Sequence, residues 1–575
     1  MIVVKQWITW VIMGCFLWSP IGSAHPALNI AITGIQGDGL KNIQDSLAIN
    51  QKLYAGAVDK LTSKNIHTLY RQAESAIRDA LKPYGYFAPT IHSTLHAQGE
   101  RWTATFHIQP GHPVRLKELS ITLTGPGCQN KAMLDFIKNL SLKKNDVLVT
   151  PNYDATKASL LQLANNQGYL KASWAQNTLQ IDLKKRTAIV ILQLDTEEQY
   201  YFGEVSFGAS PLSTHFLKRF IPFQSHDPFS SDTVLALQKN LDNSGYFQSV
   251  SIAPEWDRVK DRAVPLHVTM ESPKAQRYKI GAGYGSFTGP RLLLSGEWRR
   301  LGDSGQHAAS LLRLSPVIKG LAFKYFIPGE NPLTDQYTIG ANMQDFKPDT
   351  GHSLSQSVSV AFVKMRSEWQ HTVSLNALNE RYVLLNQPYR NGHVLYPAYT
   401  ISHIVADNIV DPHSGKMISI NVQGGNRHVL STTSFVQSEI KAKYIISPTT
   451  ASRFIVRGDL GYTIVNNLNS LPLTLQYLAG GPGSIRGFPY GSLGPARYLE
   501  VGSVEYQYRI MDEIYGAAFC DVGTATNQFN TGFEKTTGVG LVYISAIGPI
   551  KVYLTHRLTG PLHSNGVIFS IGPDF

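Results

Sequence analysis

From about residue 275 to its end the chain is written in alternating pairs. Phe454, Val456, Leu460 and Tyr462 alternate with Arg453, Arg457 and Asp459. Val504, Tyr506, Tyr508 and Ile510 alternate with Ser503, Glu505, Gln507 and Arg509, and Ile550, Val552 and Leu554 with Lys551, Tyr553 and Thr555. A period of two is the period of a strand. Apolar residues on one face and charged ones on the other suit strands that face lipid outside and a wet lumen inside, although a soluble sandwich shares the periodicity. Length narrows the choice. A transmembrane strand with its connection takes roughly 18–20 residues, so the segment predicts an all-β barrel of about 16 antiparallel strands, an even number that closes without an edge. Its final strand puts Val567, Phe569, Ile571, Pro573 and Phe575 on one face and Ile568, Ser570, Gly572 and Asp574 on the other.

The start of the chain is a different object. Lys5 precedes an apolar run from Trp7 to Trp18, Pro20 breaks it, and Gly22-Ser23-Ala24 supplies small residues before His25. This reads as a signal peptide over 1–24 that sends the chain out of the cytoplasm. A lipoprotein reading at Cys15 fits less well, because Met13 is a poor residue there and the apolar run becomes very short. Removing Cys15 leaves Cys128 and Cys520, in different expected domains, so no disulfide framework is implied. No later stretch offers the roughly 18 consecutive apolar residues of a membrane helix. The net charge of +11 implies a basic periplasmic surface or attraction to anionic lipid; an exported chain has no nucleic-acid partner.

Between these two regions lies a repeat. Leu81-Lys82-Pro83-Tyr84-Gly85-Tyr86-Phe87 returns as Leu163 to Leu170 around Gly168 and as Leu241 to Phe247 around Gly245. The glycines are 83 and 77 residues apart, the period of a small domain. Before each glycine runs a helix: Leu69, Ala73, Ile77 and Leu81 are spaced by four, and Val234, Leu237 and Leu241 share a face. The glycine supplies the left-handed residue that stops the helix, and the aromatic pair after it is expected to open a strand. A hairpin follows, with Trp102, Ala104, Phe106 and Ile108 alternating in the first copy. Leu116 to Ile121 and Phe202 to Phe207 match as first strands. The order is β-α-α-β-β, three times. Expected domains are therefore the signal peptide 1–24, repeats over 25–112, 113–198 and 199–273, and a barrel over 274–575.

The repeat resembles POTRA domains, the periplasmic modules of outer-membrane assembly factors, and the last strand resembles the signal by which bacterial barrels are recognised for insertion. The most specific stretch is Gly480-Gly481-Pro482-Gly483-Ser484-Ile485-Arg486-Gly487-Phe488. Gly483, Ile485, Arg486, Gly487 and Phe488 resemble the luminal loop motif of the BamA/TamA superfamily. Phe519, Asp521 and Gly523 resemble its barrel-wall partner motif. The resemblance implies that the loop folds into the lumen and its arginine meets an acid on the wall. An unpaired buried charge is costly, so Arg486 is expected to pair with Asp521. Three repeats point to the TamA-type branch of the family. That branch implies insertion of autotransporters or other unfolded outer-membrane clients, contact with outer-membrane lipid, and a TamB-like, inner-membrane-anchored partner docked on the periplasmic domains.

Other readings keep a place. A two-partner-secretion-type exporter or a passive channel would share the barrel, and conductance separates these from an assembly factor. An enzyme is the third class. No chemically explicit catalytic motif stands in the sequence, and no cofactor or metal is implied; Asp411-Pro412-His413-Ser414-Gly415 reads as a turn, despite the nearby His403 and Asp407. The mechanistic expectation is a lateral gate between the first and last barrel strands. Tyr278, Gly281 and Gly283 stand on one side of it and Gly572, Pro573 and Phe575 on the other, because glycine weakens a strand and proline lacks the N–H a ladder needs.

Overall fold

The computed structural model describes residues 27–55, 62–99, 101–385, 387–408, 411–545, 548–559 and 565–571. The expected signal peptide, and Gly572, Pro573 and Phe575, lie outside them. The chain divides into two compact units. One holds the residues up to Glu204 with Phe223–Val234 and Pro254–Leu266; the other holds Val205–Pro222, Leu235–Ala253 and His267–Phe575.

In the first unit, strand β1 (Ala27–Thr33) is followed by helices α1 (Asp38–Ala55) and α2 (Ser63–Leu81) and by the hairpin β2 (Thr90–Gln98) and β3 (Arg101–Gln109). β3 lies in the middle, parallel to β1 and antiparallel to β2. The Thr62 hydroxyl caps α2 by accepting from the Asn65 N–H at 3.2 Å, satisfying one of the donors a helix start leaves over. The spacing of four then turns Ala73, Ile77 and Leu81 onto Ala104, Phe106 and Ile108, and Leu69 onto Leu28, Leu95 and Trp102. Full burial stabilises each large side chain by roughly 1.5–3 kcal/mol. The second copy repeats the plan with β4 (Arg115–Thr124), α3 (Lys131–Lys138), α4 (Thr150–Asn166), β5 (Ser173–Asp182) and β6 (Thr187–Asp195), in the order β4-β6-β5.

The repeated glycines do more than stop helices. Gly85 has φ +86° and Gly168 φ +87°. A Cβ on Gly85 would stand 2.8 Å from the Leu148 carbonyl oxygen, and one on Gly168 2.4 Å from that of Tyr200. The carbonyls of the same glycines accept from Val114 N–H at 2.9 Å and Tyr200 N–H at 2.8 Å. Each is thus a joint where one domain's backbone meets the next segment too closely for any side chain. The aromatic pair does not open a strand, as the spacing suggested. β2 and β5 begin at Thr90 and Ser173, because Tyr86 and Tyr169 are drawn into the cores instead.

A third sheet has the matching order β7-β9-β8, from β7 (Tyr201–Phe207), β8 (Ser249–Pro254) and β9 (Ala263–Glu271), with α5 (Thr214–Leu217) and α6 (Ser231–Asn243) between the first two. In the second unit, residues of this region brace the turns of the large sheet. The Tyr246 hydroxyl donates to Gly305 O at 2.7 Å, Ser213 N–H donates to Asp303 O at 2.9 Å, and the Arg219 guanidinium reaches Glu330 O at 2.8 Å. The Phe216 ring lies 2.2 Å from where a Cβ on Gly305 would be.

The large sheet has sixteen antiparallel strands. They are β10 (Gln276–Gly285), β11 (Gly289–Trp298), β12 (His307–Leu314), β13 (Ile318–Pro328), β14 (Asp335–Phe346), β15 (Gly351–Arg366), β16 (Trp369–Leu384), β17 (Arg390–Ala406), β18 (Gly415–Gly425), β19 (Phe435–Thr449) and β20 (Ser452–Val465). A short hairpin, β21 (Tyr477–Ala479) and β22 (Leu493–Ala496), stands apart, and β23 (Tyr498–Met511), β24 (Ile514–Thr526), β25 (Glu534–Ser545), β26 (Gly548–Arg557) and β27 (Asn565–Ile571) complete the wall. β20 pairs directly with β23 across the excluded hairpin. The alternation has the sense expected of a barrel. Val504, Tyr506, Tyr508, Val552 and Leu554 are exposed outside, whereas Glu505, Gln507 and Tyr553 are buried inside. No helix among the described residues is long and apolar enough to cross a membrane; the crossing structure is this sheet.

Candidate functional site

The loop from β20 to β23, residues 466–497, folds inward. Its first half packs Leu471 and Leu475 against the inward-facing Leu378, Val394, Phe435 and Val465. Polar ties fix it there: Asn469 O accepts from the Tyr382 hydroxyl at 2.8 Å, Leu475 O accepts from Gln437 Nε2 at 2.8 Å, and the Glu380 carboxylate accepts from Thr474 N–H at 3.2 Å. The loop therefore touches β16 and β19 before it reaches the opposite wall.

Its second half carries the glycine-rich motif. Ile485 is fully buried in a cluster with Tyr477, Ala496, Leu499, Val501, Ala525 and Phe488. This apolar seat holds the following residue, Arg486, with 4% of its surface exposed. A buried guanidinium needs partners for its fork of donors, and it has them. Nε and Nη2 donate to the two oxygens of Asp521, each at 2.8 Å. The Arg486 backbone N–H donates to Asp521 Oδ2 at 2.9 Å, so that carboxylate grips both side chain and main chain. Nη1 donates to Glu505, and Nη2 also reaches Ser503 Oγ at 3.0 Å. Below the plane lies the Phe519 ring, its centroid 3.6 Å from the guanidinium carbon, a cation–π stack.

The pattern of β24 makes this possible. Phe519, Asp521 and Gly523 are spaced by two and face inward together. Phe519 supplies the ring and Asp521 the charge. Gly523 leaves room, since a Cβ there would stand 2.6 Å from Glu500 O and 3.0 Å from Ile485 Cδ1. Gly487 takes φ +94°, and its carbonyl accepts from Arg557 Nε at 2.7 Å. Arg557 also lies over Phe488, 4.6 Å from the ring centroid. Gly483 contributes its carbonyl, which accepts from Arg457 Nη1 at 2.7 Å.

Sequence reasoning paired Arg486 with one carboxylate; the structure gives it two. Glu505 stands at an inward position of β23, and its role depended on which strand faced the loop. It also accepts from the Tyr553 hydroxyl at 2.6 Å and from Gln507. Gln507 Oε1 in turn accepts from Arg453 Nη2 at 2.6 Å, and Arg453 Nη1 donates to Asp411 at 2.7 Å and Pro412 O at 2.9 Å. A continuous polar chain thus runs from the turn between β17 and β18, through Arg453, Gln507 and Glu505, to Arg486. Asp407, in that turn, accepts from the N–H groups of His413 and Ser414, which is the work of a turn-forming side chain. Among the described residues no cluster of acid, histidine or cysteine side chains could hold a metal.

The expected gate residues lie elsewhere. Tyr278, Gly281 and Gly283 are on β10, paired with β11. Tyr278 is exposed and meets Trp298 edge-on at 6.3 Å. β10 and β27 are the two ends of the sheet and adjoin, but no ladder joins them among the described residues. Just past the end of β10, Phe569 N–H donates to Ser286 Oγ at 3.0 Å.

Residues 325–575 match the Omp85 superfamily domain, residues 29–110 a POTRA domain of the TamA domain 1 type, and residues 200–271 a POTRA module described as a surface antigen variable number repeat. Among solved structures, BamA from Haemophilus ducreyi lacking POTRA domains 1–3 superposes with a TM-score of 0.65 at 14% identity, covering 79% of this chain and 99% of that one. That shows a shared fold. CdiB from Acinetobacter baumannii gives 0.47 at 12% identity over 80% of this chain and 89% of that one. CdiB from Escherichia coli gives 0.48 at 13% identity over 88% and 98%.

Proposed function

From a chain that carries an Omp85 superfamily barrel behind POTRA domains, with the barrel in the outer membrane and those domains in the periplasm, we propose a TamA-like factor that inserts β-barrel or autotransporter clients into that membrane. The supporting observation is the seam. A sixteen-stranded sheet brings its end strands side by side, and the bond seen between them comes from a serine hydroxyl rather than a ladder. Unpaired backbone groups in lipid cost several kcal/mol each. A client strand added at β10 or β27 would satisfy them, which is strand addition at an open edge. Tyr278, Gly281 and Gly283 on β10 form one lip of this lateral gate and β27 the other; the expected Gly572, Pro573 and Phe575 follow β27 in the sequence, outside the described residues. The loop held by Arg486 and Asp521 fills part of the lumen, so the work is done at the wall and no catalytic chemistry is involved. The periplasmic sheets expose edge strands β2 and β5, where a TamB-like partner docks.

A disulfide across the seam tests this. Lys279→Cys and Ser570→Cys are introduced with Cys128→Ser and Cys520→Ser, and client insertion into vesicles is followed before and after reduction. Insertion falls when the bond forms and returns when it is reduced. Equal insertion by locked and reduced protein overturns the gate. A steady conductance that survives locking would favour the channel.

A further inference from the structure

The wall has a second discontinuity, half a circumference from the seam. β17 carries Pro397, which has no N–H to give. The ladder between β17 and β18 accordingly stops one residue later in register, at Ala398 opposite Gln423. Above that point the edge of β17 is patched by the next loop, residues 426–434. Thr432 N–H donates to His393 O at 2.8 Å, and Leu395 N–H donates to the Ser431 hydroxyl at 3.0 Å. The patch draws the loop onto the outer surface of the barrel, where Val429 is 56% and Leu430 76% exposed. Two large apolar side chains thus stand out from the lipid-facing side of the wall.

The two side chains part around a ridge. Leu430 borders a groove of about 640 Å³ with Leu321, Phe323, Met343, Val358 and Leu395. Val429 borders a second of about 920 Å³ with Val373, Leu375, Tyr399, Val422 and Val436. Both grooves open outward, because their strand residues belong to the exposed face. Register fixes what lies above the first. Gln356, Asn379 and His393 are cross-strand neighbours in one row, and Ala377 and Leu395 are neighbours in the apolar row beneath. Leu354, Arg381 and Asn391 form the next row up. Successive same-face rows are about 7 Å apart, so apolar wall passes to polar and then to cationic within one strand end. The chain enters the barrel from the periplasm, and this loop joins strands at the opposite end, so the level is that of the outer leaflet. Arg427, beside the ridge, is exposed. The nearest acid of the row, Asp345, is already engaged by His352 at 2.8 Å and Lys347 at 3.4 Å.

We propose that the ridge and its two grooves bind one phosphorylated, multi-acylated glycolipid of the outer leaflet, with acyl chains on both sides of Val429 and Leu430 and a phosphate at the level of Arg381 and Arg427. A lipid with several chains from one head group fits two grooves divided by a ridge better than a two-chain phospholipid does, and the cations match its phosphates.

The full chain in detergent is offered bis-phosphorylated hexa-acyl lipid A, its dephosphorylated form, or phosphatidylglycerol, and retained lipid is read by native mass spectrometry. One lipid A is retained, the dephosphorylated form about tenfold less and phosphatidylglycerol less again. Val429→Ser with Leu430→Ser lowers retention of lipid A about tenfold or more. Arg381→Gln with Arg427→Gln lowers it for the phosphorylated form alone. Heat-modifiable migration on gels reports that each variant barrel is folded. Equal retention of the three lipids by the unaltered chain overturns the proposal without any variant, as does lipid A retention that ignores both pairs of substitutions. Phosphatidylglycerol held as tightly as lipid A would show an ordinary phospholipid site.

Discussion

Two stretches of the same barrel solve the same problem in opposite ways. At β23 and β24 every charged group turned inward meets a partner supplied by the chain itself: Arg486 has two carboxylates, a hydroxyl and a ring, and Asp521 receives both main-chain and side-chain donors. At β10 and β27 the neighbouring edges share one hydroxyl bond among the described residues. Strand length differs as well. β23 and β24 have 14 and 13 residues, whereas β10, β11 and β12 have 10, 10 and 8. A strand of about 9–11 residues barely spans a bilayer core. One side of the barrel is thus long and internally satisfied, and the other is short and open to pairing. Strength in this wall lies where the loop is anchored, and freedom lies where the sheet ends.

The largest expected effect comes from breaking the anchored side. Arg486→Ala leaves Asp521 buried without its main partner, and Asp521→Ala does the reverse. Each should destabilise the folded barrel by about 3–5 kcal/mol, read as the urea midpoint of the heat-modifiable band in vesicles. Because both remove one contact, the double substitution should cost clearly less than the sum; strict additivity would dissolve the pair. Glu505→Gln keeps the shape and removes the charge, so it should cost less than either.

A smaller effect is expected at the periplasmic end of the polar chain. Arg453 is 2% exposed and ties Gln507 to the turn at Asp411. Arg453→Met should cost about 1.5–3 kcal/mol, the range for hydrogen bonds to a charged group, and should loosen the turn between β17 and β18. Hydrogen exchange there would show it. If exchange at Ser414 and Gly415 is unchanged, the chain of bonds does not carry rigidity that far.

Much of this was legible in the residues. The Gly85, Gly168 and Gly245 repeat announced three helix ends, and all three take positive φ. The resemblance of two motifs to a superfamily's loop and wall motifs, with the cost of an unpaired buried charge, announced Arg486 and Asp521 as partners. Legibility failed where contact depends on non-local geometry. Glu505 and Ser503 were visible as inward residues of an alternating strand, but only the omission of β21 and β22 from the wall brings β23 beside β20 and under the loop. The stacking of Phe519 beneath Arg486 could have been read from its two-residue spacing to Asp521. The tie between Arg453 and Asp411, residues from different hairpins, left no local trace. The delayed start of β2 shows the converse: a strand-forming pair, Tyr86-Phe87, was claimed by the cores around it rather than by a ladder.

On the open side, Ser286→Ala removes the hydroxyl that receives Phe569 N–H. The expected cost is about 0.5–1.5 kcal/mol, small for the barrel as a whole but concentrated at the seam. Deuterium uptake at Phe569 should rise while uptake at Phe519 stays fixed. Equal change at both would mean that the two sides are not mechanically distinct.

The open side also has a brace outside the membrane, and it sets the finest test of the comparison. Tyr246 donates its hydroxyl to Gly305 O, in the turn that joins β11 to β12. Burial pushes its phenol up to about 12 from the usual 10.0, since a phenolate there would lose solvation and the hydroxyl would lose its donor. The folded value is raised, so this contribution is complete below pH 10 and is lost as pH climbs towards 12. Tyr246→Phe removes the hydrogen bond and keeps the ring against Phe216, whose centroid is 5.4 Å away, so the expected cost near neutrality is about 1 kcal/mol. Unaltered protein should therefore lose its advantage over Tyr246→Phe between pH 10 and 12, in a melt followed by fluorescence of a label on the 299–306 turn. Parallel melting curves across that window would show that the hydroxyl does not brace the short-stranded side, and that the difference between the two walls is set inside the barrel alone.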